Sequence, residues 1–402
     1  MGTMRTRGFV LLVLLSPALG QSQGLRTKDY VARMQIGLDD LYRLDYEDAR
    51  RQYQHLAEIY PEHPGPPLSL SVAIWLEELF ERRELDIDRF ISPGYFTQPA
   101  DRDMDPGDRE AFFNGVERSQ MLAESWIERH SGDSDARYYL GACEAALGVF
   151  AFTIDRSYRS ALRHGKKAYE IQRALIEDDP RFYDSYLTLG TYEYIVGNLP
   201  WYIKWLALIA GYHGNERRGF EYLIQAANDG FLVRNDARVL LMVLYVRERR
   251  YDYALQMARQ LHERYPENFL FHLNRAQILE RLDRPGEAVE TFLEIISRAE
   301  SRTPNYQKLD LGRLRYPVGE RLFEVGRREA ALRQFEAALS ASGVPESDRV
   351  HAGLRAGEIL EALGRREEAL ELYQRVQRLE DIGGSHRAAG RRMQALRPEV
   401  ER

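Results

Sequence analysis

One phrase recurs along this chain and restricts what it can fold into. Gly326-Arg-Arg-Glu-Ala-Ala-Leu-Arg-Gln-Phe-Glu-Ala-Ala-Leu339 and Gly364-Arg-Arg-Glu-Glu-Ala-Leu-Glu-Leu-Tyr-Gln-Arg-Val376 are two versions of it, and Tyr251-Asp-Tyr-Ala-Leu-Gln-Met-Ala-Arg-Gln-Leu261 is a third. Each starts at a turn, then carries a small residue, an aromatic or apolar residue four positions on, and a further small or apolar one. That spacing is helical and sets all three on one face. The small residue lets two helices approach, and the large one fills the space beside it. A single helix pair of this kind cannot bury its apolar face alone, so the units must stack.

In register, the second-helix positions are Ala49, Tyr53 and Leu56, then Ala254, Ala258 and Leu261, then Ala288, Phe292 and Ile295. Two more sets follow, Ala331, Phe335, Ala338 and Ala369, Tyr373, Val376, with Pro61 and Pro266 as stops. Small first-helix positions are Gly37, Gly141, Gly190, Ala276, Gly319 and Gly357. Packing is the expected role of all of them. With this pattern most of residues 30–380 resembles the tetratricopeptide repeat (TPR) superfamily, whose unit is a helix–turn–helix of 34 residues. The resemblance implies an all-α fold, a TPR-type solenoid wound as a right-handed superhelix, with a concave groove lined by first helices.

The same resemblance places Tyr138, Leu187, Thr191, Tyr194, Arg247, Gln277, Glu280, Arg281, Glu320, Phe323 and Glu358 on that groove. The surface so composed changes from aromatic and apolar in the middle of the chain to charged and increasingly acidic toward its end. It suits an extended or helical peptide, with an apolar anchor near Tyr138 and Tyr194. A non-enzymatic scaffold binding a protein or peptide partner is the expected function.

The middle of the chain departs from this period. Asp135, Leu140, Gly141, Glu144, Gly148, Ile154, Ala161, His164, Gly165 and Phe182 each recur 49 residues later, as Asp184 through Phe231. This is an internal duplication of a longer module. Each copy reads as a first TPR helix, a Gly stop, an inserted apolar helix, a His-Gly stop and a second TPR helix. The two inserted helices are expected near 150–164 and 200–211. In the second copy Gly197-Asn198-Leu199-Pro200 supplies a helix end, a cap and a helix start. The stretch 201–210 is apolar nearly all round, which suits burial in the stack, a partner face or a membrane interface. About residues 184–230 also resemble the tetratricopeptide repeat protein 39 family, which implies an interaction or membrane-linked role. Peripheral membrane association through 200–211 is therefore the alternative function.

Glu144 and Glu193 stand where such helices usually carry a large apolar residue, so each needs a hydrogen-bonding partner. His164 and His213 are the expected partners in a polar network. Two Glu and two His would also suit a divalent metal, but each His precedes a Gly, where a helix C-terminus favours a cation. No metal is expected. Asp101-Arg-Asp-Met-Asp-Pro-Gly-Asp108 alternates carboxylates, yet Pro106 and Phe112 occupy positions where a calcium loop needs Gly and Glu. That run reads as the lead into a helix near Asp108. The chain holds no nucleophile elbow, phosphate loop, HExxH helix or CxxC pair. No enzyme activity and no cofactor are expected, and Cys143 reads as an inert buried thiol.

The N-terminus has a different logic. Arg5 and Arg7 precede the apolar run 9–15, and Ser16-Pro-Ala-Leu-Gly20 follows with small residues. This is the order of a secretory signal peptide, too short to span a bilayer, with cleavage expected near Gly20 and no Cys for lipid attachment. A periplasmic or extracellular location follows, and a single cysteine leaves the fold without an intramolecular disulfide. The net charge of −6 offers no basic field for nucleic acid. Only Lys28, Lys166, Lys167, Lys204 and Lys308 are lysines among 56 basic residues, a bias that points to a GC-rich bacterial source. The expected organisation is a signal peptide over 1–20 and an N-terminal TPR-like region over 21–131 with a long loop at 86–107. Two duplicated modules over 132–231, C-terminal repeats over 232–380, and a capping helix and tail over 381–402 complete it.

Overall fold

A computed structural model describes residues 25–87, 102–198 and 211–400. Among these residues there are helices and turns and no strand. The described helices run as eight consecutive pairs. The first four are α1 (Lys28–Arg43) with α2 (Tyr46–Ile59), α3 (Gly65–Glu81) with α4 (Pro106–Arg129), α5 (Ser134–Thr153) with α6 (Tyr158–Asp178), and α7 (Ser185–Gly197) with α8 (Glu216–Asp229). The other four are α9 (Arg234–Arg247) with α10 (Tyr251–Arg264), α11 (Phe269–Arg281) with α12 (Pro285–Glu300), α13 (Leu311–Glu324) with α14 (Arg328–Ser340), and α15 (Glu346–Ala362) with α16 (Arg366–Val376). A last helix, α17 (Ser385–Val400), ends the stack.

Local chemistry sets the boundaries. Thr27, Asp105, Asp133, Asn215 and Asn268 each accept a backbone N–H in the first turn of the helix that follows. Asp105 with Pro106 starts α4, which settles the acidic run as a helix lead. Four of the turns inside pairs share one geometry, a left-handed residue followed by Arg: Arg249-Arg250, Asp283-Arg284, Gly326-Arg327 and Gly364-Arg365. Gly is at ease there, whereas Arg249 and Asp283 hold φ values of 57° and 55° against the preference of an L side chain.

The repeat positions do what their spacing requires. Ala49, Tyr53, Leu56, Ala288, Phe335, Ala338, Ala369 and Tyr373 are fully enclosed. Three first-helix glycines face the large residue sixteen positions on: Gly37 faces Tyr53, Gly319 faces Phe335, and Gly357 faces Tyr373. No added methyl group would fit between them.

The duplicated modules are built differently from the expectation. In the first copy no separate helix is inserted: α5 runs on past Gly148 to Thr153, and α6 runs through His164 and Gly165. The two helices are long, and the turn between them carries Arg156 at a φ of 53°. Gly148 lies against Gly165, where an added Cβ would stand 3.4 Å from the Gly165 nitrogen. These glycines permit close helix contact and do not stop the helices. In the second copy Gly197 does end α7, and the inserted helix expected at 200–211 lies, Gly211 apart, outside the described residues. The predicted signal peptide at 1–20 and most of the loop at 86–107 also lie outside them.

The first pair closes back on later ones. The Tyr42 hydroxyl donates to Asp236 at 2.5 Å, across 194 residues, and its ring stacks on Tyr265 at 5.0 Å. Tyr265 in turn donates to Asp39 at 2.9 Å. Side-chain amides of Asn268 and Asn305 donate to the carbonyls of Tyr42 and Arg43, each at 2.7 Å, and Lys308 donates to that of Leu44 at 2.6 Å. Thus α1 and the residues before it lie across the starts of α5, α7, α9 and α11.

Candidate functional site

The residues expected to line the groove fall into two groups. Of those from Tyr138 to Gln277, the two expected anchors and Gln277 are buried, Leu187 and Thr191 are half-buried, and Arg247 is exposed. Tyr138 is buried, stacked at an angle on Phe182, with the Arg26 guanidinium 5.1 Å from its ring centre. Tyr194 is 1% exposed, packs edge-on against Phe220, and donates its hydroxyl to Glu248 at 2.5 Å. Neither is an open aromatic anchor, because the N-terminal segment roofs one and the next pair roofs the other. Leu187 and Thr191 are half-buried, the Thr191 hydroxyl being satisfied by the Leu187 carbonyl. Arg247 is exposed and lies over the Tyr194 ring. Gln277 is buried and donates weakly, at 3.4 Å, to Asp86.

The C-terminal group stays open. Glu280, Glu320, Phe323 and Glu358 are half-exposed on α11, α13 and α15. They form a ladder in which each acid meets an arginine of the next first helix. Arg321 grips Glu280 with two nitrogens, Arg355 spans both oxygens of Glu320 at 3.1 and 3.3 Å, and Arg392 reaches Glu358 at 3.2 Å. Arg355 also lies over Phe323, 5.5 Å from the ring centre. The acidic trend expected of this face is therefore neutralised by arginines that the sequence separates from their partners. Arg392, on α17, stays exposed while it pairs with both Glu358 and Glu361 of α15.

The polar pairs of the duplicated modules differ from each other. In the first copy Glu144 is buried and takes the His164 ring at 2.8 Å and the Lys167 ammonium at 2.5 Å. In the second, Glu193 is fully enclosed and accepts from the Tyr169 hydroxyl at 2.7 Å and the Asn215 backbone at 2.8 Å. Arg218 completes it at 2.6 Å. Burial raises the Tyr169 hydroxyl to about 12. His213 is exposed and does not take the place predicted for it. The physical reason is the helix end at Gly197: the N-terminus of α8 brings a backbone N–H to Glu193, where the first copy has a continuous helix. Cys143 is buried beside Ser119 at 3.2 Å, and burial pushes its thiol up to about 12, so it carries no thiolate at neutral pH. No cluster of three metal-ligating side chains occurs among the described residues.

Two features had no counterpart in the sequence reading. Arg26 bridges Asp135 and Asp184, the same position of the two duplicated copies. The recurrence of an acid at that position was the available signal. The second is a set of buried histidines. His63 contacts the Leu25 carbonyl through Nε2 at 2.9 Å and accepts the Gly65 N–H at Nδ1, while His262 and His272 stack at 4.2 Å. Burial lowers all three, to about 4, 4 and 2.

The family model described as Tetratricopeptide repeat matches residues 241–303 and 319–386. Solved structures similar to the chain include the yeast Tom70, at 13% identity over 93% of this chain and 96% of that one, with a TM-score of 0.30. The human IFIT1 dimer with m7Gppp-AAAA matches at 12% identity over 92% and 86%, with a TM-score of 0.34. TTC0263, a thermophilic TPR protein in Thermus thermophilus, matches at 18% over 62% and 94%, with a TM-score of 0.20. No curated protein sequence matches, so the likeness of 184–230 to the tetratricopeptide repeat protein 39 family finds no support. The described residues form an all-helical, TPR-type solenoid, and residues 241–303 and 319–386 of it are tetratricopeptide repeats.

Proposed function

We propose that this chain is an exported, non-enzymatic scaffold that holds a peptide or protein partner along α11, α13 and α15. Tetratricopeptide repeats form interaction surfaces, and the observation that carries the reading is which part of the surface is open. The first-helix row Glu280, Glu320, Phe323 and Glu358 is half-exposed within the matched repeats, whereas Tyr138, Tyr194 and Gln277 are buried. Phe323 offers an apolar contact, and the Arg–Glu ladder offers donors and acceptors alternating along the face. A partner segment of mixed charge with one apolar side chain fits this face. Export rests on the charged, apolar and small-residue order of residues 5–20.

A photo-crosslinking residue at position 323 tests the surface, with a control at exposed Glu336 on α14. In the native host the expected result is one crosslinked partner from 323 and none from 336. Crosslinks from 336 alone would move the site to the second-helix face. Recovery of the chain from the cytoplasm with Met1 intact would remove export.

A further inference from the structure

The Arg26 contact is more than an ion pair on a surface. Its guanidinium lies over the Phe182 ring at 4.6 Å and against Tyr138 at 5.1 Å. Nη1 donates to Asp184 Oδ2 at 2.7 Å, and Nε stands 2.6 Å from Asp135 Oδ1. The Asp184 side chain is 1% exposed and that of Asp135 18%. A planar cation on an aromatic face, edged by two carboxylates, is the arrangement that selects guanidinium over ammonium.

Asp184 is held by groups other than Arg26. Asp184 Oδ1 accepts the backbone N–H groups of Phe231 and Leu232 at 2.6 and 3.1 Å, so the carboxylate is aimed by α7 and the chain after α8. Asp135 lies in the first turn of α5, and Tyr138 one turn along the same helix. Beside the pocket, His63 Nε2 takes the Leu25 carbonyl, and Leu25 is 3% exposed. The site thus reads a backbone carbonyl, an apolar side chain and then a guanidinium. Arg26 Nη2 is buried with no acceptor among the described residues, so the resident arginine does not use every donor it has.

We propose that the two duplicated modules together form a receptor for an extended apolar–arginine segment, and that residues 25–27 fill it in cis. The receptor takes one acid from the equivalent position of each copy. It is separate from the open face of α11, α13 and α15, and the two stand or fall independently.

Chemical rescue tests it on the full chain. Arg26→Ala empties the guanidinium position and leaves Leu25 in place. Guanidinium chloride at ~10 mM, far below denaturing levels, is expected to raise the Tm of this variant by ~3 °C or more, and N-acetyl-arginine amide to do the same. Ammonium chloride or NaCl at equal ionic strength is expected to do neither, wild type to gain nothing, and Arg26→Ala/Asp184→Asn to lose the rescue. If Arg26→Ala is unfolded, guanidinium should restore its helical circular dichroism. Absence of rescue, or rescue by ammonium, overturns the proposal. Arg26→Lys provides a second reading: a lower Tm than wild type supports a guanidinium site, and an unchanged Tm shows a site for any cation and overturns it.

Discussion

Gly319 on α13 faces the ring of Phe335 on α14 so closely that a methyl group added to it would stand 2.5 Å from Cε1. Alanine in a helix ordinarily gains up to about 1 kcal/mol over glycine. Here the ring is fully enclosed and has nowhere to go. Gly319→Ala is expected to cost about 1–3 kcal/mol through overpacking, and Gly357→Ala, which meets Tyr373 at the same 2.5 Å, to behave alike. Gly286 is exposed with nothing within 4 Å, so Gly286→Ala should be neutral or stabilising. Urea unfolding of the three variants checks the contrast.

Glu193 holds three donors in a closed space. Glu193→Ala removes their shared acceptor and leaves the Asn215 N–H and the Arg218 charge without it, at a cost of about 3–5 kcal/mol. Glu193→Gln keeps an acceptor oxygen and should lose less. Lys167, whose side chain is 65% exposed, contributes little to its pair with Glu144. Lys167→Ala should fall within about 1 kcal/mol of wild type. Equilibrium denaturation orders the three.

Tyr194 and Phe323 separate stability from binding. Tyr194→Ala opens a cavity under Phe220 and frees Glu248, so Tm should drop sharply, with a cost of about 3–5 kcal/mol. Phe323→Ala should leave Tm within ~2 °C and weaken the partner crosslinked from this face at least about tenfold. Thermal unfolding and a binding titration on the same preparations distinguish them. Loss of binding in folded Tyr194→Phe would restore that residue as a contact.

The Glu320–Arg355 pair is bidentate but half-exposed, and its energy is expected to be small. A double-mutant cycle with Glu320→Ala and Arg355→Ala should give a coupling of about 0.2–1 kcal/mol, shrinking as salt is raised. A larger, salt-insensitive coupling would mean that the ladder fixes the pitch of the stack.

Acid should loosen the fold in a defined window. His63, His262 and His272 stay neutral when folded because burial lowers them to about 4, 4 and 2, against an ordinary 6.5. Below pH 6.5 the unfolded chain binds protons that the folded chain refuses, so their contribution is complete above about 6.5 and is lost as pH falls toward about 4. Asp236 acts in the opposite sense: burial, against the lowering effect of its Tyr42 hydrogen bond, raises its carboxyl to about 6. Three histidines outweigh one acid between about pH 7.5 and 5.5, and Tm is expected to fall by ~3 °C or more across it. His63→Gln should flatten part of that slope.

The sequence by itself determined the repeat. Ala331, Phe335 and Gly319 are packing positions because helical period and side-chain size alone decide them, and their contacts lie within about one repeat. Helix ends at Thr27, Asp105, Asn215 and Gly364 were equally local, being matters of capping and left-handed turns. The duplication was legible too, but its glycines were not: whether Gly148 stops a helix or admits a neighbouring one depends on where Gly165 lies in space. Only the tertiary structure decided which groove residues are open. Tyr138 and Tyr194 are roofed by Arg26, Phe220 and Glu248, and the acids of α11, α13 and α15 are matched by arginines 34 to 41 residues on. Curvature of the stack brings α1 and its C-terminal turn onto Asp236, Tyr265 and Asn305. Curvature sums small rotations over every pair, and no local spacing in the sequence records that sum.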